Sequence, residues 1–357
     1  MTIPELLPPT RFRALPRRAA LAVLAGLLLL IAAGIAGGVA HDRTYRGPPG
    51  HGDLELYMSV IDRVAKGQPY YVAVTTEQRT RHYPLKPAFT VRNPLLTYAM
   101  AALPGDAARN LSLRILAIVV MAAWGLRLHL LFGRTVIVGA GMALLACGLV
   151  AAMLGGLYAF HDIWAGALIA LSLAVRDDRR WLASVLIGFL AVVLRDLSLL
   201  YLLVMGALAL YDGKRREALA WAVAIAAFLV VLAVHAHFVA EQLRPGDHRS
   251  PGWLAFGGWP FVLANAKYNA LLVLDPPWVI ATAIPLMLFG LAAWPGPTGA
   301  RLVVVCSAYI LLFVFFGRPD NSYWGGIITP LMALGPLMAP RGLWDLARNG
   351  LKPSRSR

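Results

Sequence analysis

The apolar residues of this chain come in runs. Stretches of about 15–23 residues, separated by short polar breaks, follow one another along most of its length. A run of that length spans the hydrocarbon layer of a bilayer as a helix, and in water it would leave a face that nothing covers. Hydrophobic residues reach 59% and charged residues only 14%. Soluble globular domains sit near 45–50% and about 25% respectively, and disordered chains are far less apolar. The expected fold is therefore all-α, a polytopic transmembrane helical bundle.

Ten spans are expected, at about 19–40, 111–131, 135–156, 162–175, 181–194, 197–211, 217–239, 277–294, 302–316 and 323–339. The basic start and "GVA" of the first run look like a signal peptide. Its apolar stretch, Ala19 to Ala40, is too long for one and reads as an uncleaved first span. An even number of spans places both termini on one side, N-in and C-in. Counted that way, the inner segments carry 18 basic and 6 acidic residues, net +12, and the outer segments net +3. The total of +15 is thus mostly an orientation signal on the cytoplasmic side and not a nucleic-acid footprint. Most of the outer basic residues lie in one long loop, where the rule acts weakly.

Two of the expected spans have only 14 residues, about 21 Å of helix. The alternative fuses 181–211 into one helix with Arg195 and Asp196 at mid-membrane. It would put "RDDRR" (176–180) and "KRR" (214–216) on opposite sides, so the chain is broken at 195–196 and, by the same reasoning, at His161–Asp162. No internal repeat is visible. One membrane domain, 1–357, is expected, with outer loops at 41–110 and 240–276 and a basic tail at 341–357. Cys147 and Cys306 both lie in apolar runs and suggest neither a disulfide framework nor a zinc site.

The breaks gather ionisable groups on the outer side. They are Asp53 and Glu55, His161 and Asp162, Arg195 and Asp196, then His235, His237 and Glu241, and finally Arg318, Asp320 and Asn321. Charges beside lipid are costly, so a one-sided cluster reads as a site. Each residue also has a plain structural reading. Asp53 is a natural N-cap for a helix beginning at Leu54, which leaves a carboxylate oxygen free for other work. Arg195 and Asp196 can be a structural pair at a helix corner. His161, His235 and His237 can be interfacial histidines, and the last two lack the four-residue spacing of zinc ligands on a helix. In the first outer loop, "GDLELYMSVIDRVAKGQPYY" reads as an amphipathic interfacial helix with Leu54, Met58, Ile61 and Ala65 on its apolar face. "GQP" at 67–69 ends it. A second interfacial helix is expected over 94–103.

An Asp early in the first outer loop, an amphipathic helix, "G-x-P-Y" and a Pro/Tyr-rich segment ending in "NPLLTY" together resemble the GT-C superfamily of integral-membrane glycosyltransferases. "FHDIWAGALIALSLAVRDDRRW", "AVVLRDLSLLYLLVMGALALYDGKRREALAW" and "RPDNSYWGGIITPL" look like bacterial proteins of cell-surface glycopolymer formation. The similarity runs from about Asp53 to Pro340. Ten spans is few for that superfamily, and a second outer-loop acid has only Asp162 as a counterpart.

The resemblance implies a sugar donor carried on polyprenyl phosphate, a lipid or glycan acceptor, and an active site facing the periplasm of a bacterial inner membrane. Asp53 would be the general base. Arg318 and Arg195, then Lys86, Arg92 and His161, would meet the donor phosphate. Asp162, Asp196, Tyr83, Asp320, Asn321 and Tyr323 would contact sugar or acceptor, and Asp162 could orient His161. Some members use a divalent cation, Mg or Mn, but no acidic cluster in the sequence calls for one. The alternatives are a transporter or flippase of a lipid-linked or anionic precursor, which normally shows paired repeats, and a non-catalytic scaffold of an envelope complex.

Overall fold

The computed structural model describes residues 6–39 and 52–351. Among them every regular element is a helix, and extended pairing is confined to one isolated bridge, Lys86 with Arg249. Four helices are long and apolar enough to cross a membrane: Arg17–Gly37 (α1), Gly105–Phe132, Arg215–Glu241 and Gly296–Phe315. Shorter apolar helices cover Thr135–Gly148, His161–Val175, Trp181–Leu194, Asp196–Tyr211 and Pro277–Ala293. The chain is an all-helical membrane protein.

After α1 the helices run in chain order as α2 (Asp53–Ala65), α3 (Tyr70–Thr80), α4 (Leu95–Ala101), α5 (Gly105–Phe132), α6 (Thr135–Gly148), α7 (Val150–Met153), α8 (His161–Val175), α9 (Trp181–Leu194), α10 (Leu199–Tyr211), α11 (Arg215–Glu241), α12 (Gly258–Ala264), α13 (Pro277–Ala293), α14 (Gly296–Phe315), α15 (Thr329–Met332) and α16 (Ala339–Gly350). They form two compact units. One comprises Met1–Asp42, Met121–Val150 and Phe256–Arg357; the other comprises Arg43–Val120 and Ala151–Ala255.

In the first unit the N-terminal segment is tied to α16. The Thr10 amide and hydroxyl both donate to Asp345 Oδ2 at 2.9 Å. The Asn349 amide donates to the carbonyls of Phe12 and Arg13. Helix α16 buries Ala339, Gly342, Asp345, Leu346 and Asn349, a three-and-four spacing that is one helical face. The expected tenth span, 323–339, is not one helix. It is a 3-10 stretch (Pro319–Ile327), then α15, then a 3-10 turn (Gly335–Leu337). Pro330 and Pro336 donate no backbone hydrogen bond, which cuts any longer ladder. Glycine then lets the broken chain approach its neighbours. A Cβ on Gly335 would lie 2.0 Å from the Met287 carbonyl oxygen, and one on Gly290 would lie 1.9 Å from that of Gly335. The expected span 135–156 also ends early, in α6 and the short α7.

The second unit holds α2 to α4 and α8 to α11. The helix expected from Leu54 begins at Asp53, and its buried face is Leu56, Val60 and Ile61. Leu54 and Met58 are half-buried and Ala65 is exposed, which corrects the expected face by part of a turn. The cause is packing. Helix α2 lies against α3 and α4, and Leu56 and Val60 join Tyr70, Ala73, Val74, Leu85, Val91 and Val239 in one apolar cluster. Helix α3 lies in a stretch to which the sequence assigns no element. Gly67, at φ 90°, turns the chain from α2 into it. The breaks expected beside His161 and Arg195 are present. Helix α8 begins at His161, α9 ends at Leu194, and a 3-10 turn (Asp196–Ser198) leads into α10. Polar ties join these helices. Ser172 hydroxyl bonds both Ser184 and the Tyr201 hydroxyl. Arg176 Nε and Nη2 donate to the two Glu217 oxygens at 2.8 and 2.6 Å.

Candidate active site

Most candidate residues of the second unit lie where the segment 53–101 meets the start of α8 and the end of α9. Asp53 opens α2. Its expected N-cap role is not what the structure shows: Gly52 holds the cap position, and the cap makes no side-chain bond. Asp53 is instead the first helical residue, where the dipole of α2 favours a negative charge. Its carboxylate accepts a hydrogen bond from the Tyr83 hydroxyl at 2.7 Å. Tyr83 reaches it because α3 ends at Thr80, His82 takes a left-handed φ of 59°, and Pro84 prevents a further helical turn. Asp53 is half-buried.

One helical turn further along α2, Tyr57 meets a chain of charges. Arg195 Nε donates to Asp162 Oδ1 at 2.8 Å and its Nη1 to Asp196 Oδ1 at 2.7 Å. The Arg195 and Asp162 side chains are each 2% exposed, whereas Asp196 is 35% exposed. Arg195 is therefore the buried hub of an ion triad that ties the start of α8 to the end of α9, the structural reading open for it in the sequence. Its charge is met by two carboxylates, so it is poorly placed to offer that charge to a phosphate. Asp162 faces Arg195 rather than orienting His161. Arg92 approaches the triad from the segment before α4, with Nη1 3.9 Å from Asp196 Oδ1. The Arg92 Nε donates to the Tyr57 hydroxyl at 3.1 Å.

Tyr57 is the residue the sequence reading passed over. It stands one helical turn after Asp53, so the four-residue spacing on α2 was the available signal. Its ring meets that of His161 edge-on at 5.1 Å. Burial pushes its hydroxyl above the ordinary tyrosine value, against the pull of Arg92, and nearby Asp53 adds to the rise. It stays a neutral phenol with a proton to donate. His161 is 2% exposed, and neither ring nitrogen has a hydrogen-bond partner among the described residues. His235 is also buried. Its Nδ1 is 3.2 Å from the Tyr71 hydroxyl and its Nε2 3.1 Å from the Val91 carbonyl. His237 instead pairs with Glu241 on an exposed helical face.

A small recess, with a cavity volume of only about 20 Å³, opens beside Arg92. Arg92, Asn93, Asp196 and His235 form its polar end, and Phe89, Val192, Leu194, Phe228 and Leu232 are among its apolar walls. Lys86 lies elsewhere, with its backbone paired to the 248–250 segment.

The remaining candidates belong to the first unit. Arg318 is half-buried and precedes the 3-10 stretch. Asn321 is buried with a non-helical backbone at φ −106° and ψ 19°, and its Oδ1 lacks a partner among the described residues. Tyr323 is buried. Asp320 lies at the second position of the stretch. No group of three or more His, Cys, Asp or Glu side chains that could hold a metal ion occurs among the described residues. Asp162 and Asp196 direct their charge to Arg195. Compared with known families, characterised proteins and solved structures, the chain finds no match.

Proposed function

We propose that this protein is an integral-membrane glycosyltransferase of the bacterial inner membrane, acting at the periplasmic face. It moves a sugar from a polyprenyl-phosphate donor to an envelope glycan or lipid acceptor. The observation that carries this reading is the Asp53–Tyr83 pair: a half-buried carboxylate, fixed at 2.7 Å by one phenol, one helical turn before Tyr57, whose hydroxyl accepts from Arg92.

In the proposed step Asp53 takes the proton of an acceptor hydroxyl. That oxygen attacks the anomeric carbon as the bond from this carbon to the phosphate oxygen breaks. The sugar is inverted and polyprenyl phosphate leaves with the bonding electrons. Arg92 and the Tyr57 hydroxyl oppose the charge that develops on the leaving oxygen. The prenyl chain would lie in a groove among the apolar helices. Arg195, Asp162 and Asp196 hold Arg92 and the α8–α9 corner in position.

Sugar transfer by membranes carrying wild-type or Asp53→Asn protein tests this directly. Loss of about a hundredfold or more in rate is expected when a general base is removed. Unchanged transfer by the variant would remove Asp53 from that role. Movement of a lipid-linked sugar across liposomes without glycosidic bond formation would point to transport instead.

A further inference from the structure

The loop that carries Tyr83 also carries a second concentration of charge. The Leu85 and Lys86 amides donate to the His248 carbonyl at 3.0 and 3.3 Å, and the Ser250 amide donates to the Lys86 carbonyl at 2.7 Å. These bonds lay two extended segments side by side. The His82 and His248 rings meet edge to face across them, 6.2 Å apart. The carboxylate in this stretch, Asp247, is engaged by its neighbours. Arg79 Nε and Nη2 donate to its two oxygens at 2.7 and 2.9 Å, and the Arg244 amide adds a third bond at 2.7 Å.

That leaves a surplus of positive charge. Arg244 and Arg249 are exposed and Lys86 is half-exposed. None of the three lies within ion-pair distance of a carboxylate among the described residues. Like charges held together on two paired segments repel one another, and a polyanion lying along them relieves that repulsion. His82 and His248, both exposed, add hydrogen-bonding groups to the same surface. The patch is linked to the candidate site along the chain. Tyr83, which holds Asp53, stands in the chain between His82 and Lys86.

We infer that the surface formed by Lys86, Arg244 and Arg249 binds an acidic glycan, one bearing phosphate or carboxylate groups, and that this glycan is the acceptor whose hydroxyl reaches Asp53. Its role as acceptor rests on the glycosyltransfer reading; its binding does not.

The test uses full-length protein in nanodiscs of neutral phosphatidylcholine, with fluorescent oligogalacturonate and a neutral dextran oligomer of similar length as probes. Oligogalacturonate binds and dextran does not. Binding weakens as salt rises. The triple variant Lys86→Gln/Arg244→Gln/Arg249→Gln weakens it about tenfold or more. The double variant Arg215→Gln/Arg216→Gln removes exposed charge of the same sign at the start of α11 and leaves binding unchanged. Equal binding of dextran, insensitivity to salt, an unaffected triple variant or an equal loss in the double variant each overturns the inference. So does a triple variant that loses only its attachment to phosphatidylglycerol vesicles, which would make the patch a lipid contact. Oligogalacturonate binding with no transfer to any acidic acceptor counts against the glycosyltransfer reading alone. Transfer that ignores the patch counts against the patch alone.

Discussion

Asp247 shows what one residue contributes when its neighbours are fixed. Two bonds from Arg79, together with the Arg244 amide, hold its carboxyl below the ordinary 3.8, at about 2, although partial burial acts the other way. A carboxyl depressed in the folded state stabilises the fold fully above its ordinary value, and that contribution disappears as pH falls through the folded value. Melting of the purified protein with and without Arg79→Ala should show a gap that is constant from neutral pH down to about pH 5 and closes as pH approaches 2. A gap independent of pH would mean that Arg79 acts through packing or through its bond to the Gln242 carbonyl. Asp53 is the opposite case. Its neighbours leave it half-open to solvent, and the sequence marked it by position alone. Tyr83 as its partner lies 30 positions away, beyond the reach of any local pattern.

Between elements, the decisive contacts are few and stiff. Arg176 at the end of α8 and Glu217 at the start of α11 form a two-bond ion pair, with side chains 6% and 2% exposed. Removing one partner strands a buried charge, a loss of about 3–5 kcal/mol, while replacing both by apolar residues of similar size is often neutral. Arg176→Met should therefore lower the melting temperature sharply, and Arg176→Met/Glu217→Leu should recover most of it. Equal loss in both would show that the pair is not the source. The crossing of α13 with the Gly335 turn depends on shape instead. Gly335→Ala places a methyl group 2.0 Å from a carbonyl oxygen, and backbone cannot yield as a flexible side chain can. A loss of at least about 1–3 kcal/mol follows from such overpacking. Gly139 on α6 has open space where a Cβ would go, so Gly139→Ala should be neutral or slightly stabilising. If the two alanine variants melt alike, the close approach carries no energetic weight.

For the whole molecule the charge distribution makes a claim about sides. If the inner segments carry the +12 surplus, tags at both chain ends report from the cytoplasm, and a tag placed after Gln242 reports from the opposite side. Opposite reports from the two termini would overturn the N-in, C-in arrangement. The apolar runs by themselves determined that this is an all-helical membrane protein, since only helices satisfy the backbone within lipid at such lengths. Proline and charge determined where several helices begin or end, α8 at His161 and α9 at Leu194 among them, because those features act within one turn. The tertiary structure decided the rest. It gave the buried face of α2 to Leu56 and Val60, set α3 against it, turned the last apolar run into a series of 3-10 turns, and made Arg195 a hub between two carboxylates. It also brought Tyr57 and Arg92 together across 35 positions of sequence. These outcomes depend on which residues meet across long separations, where periodicity and spacing carry no information.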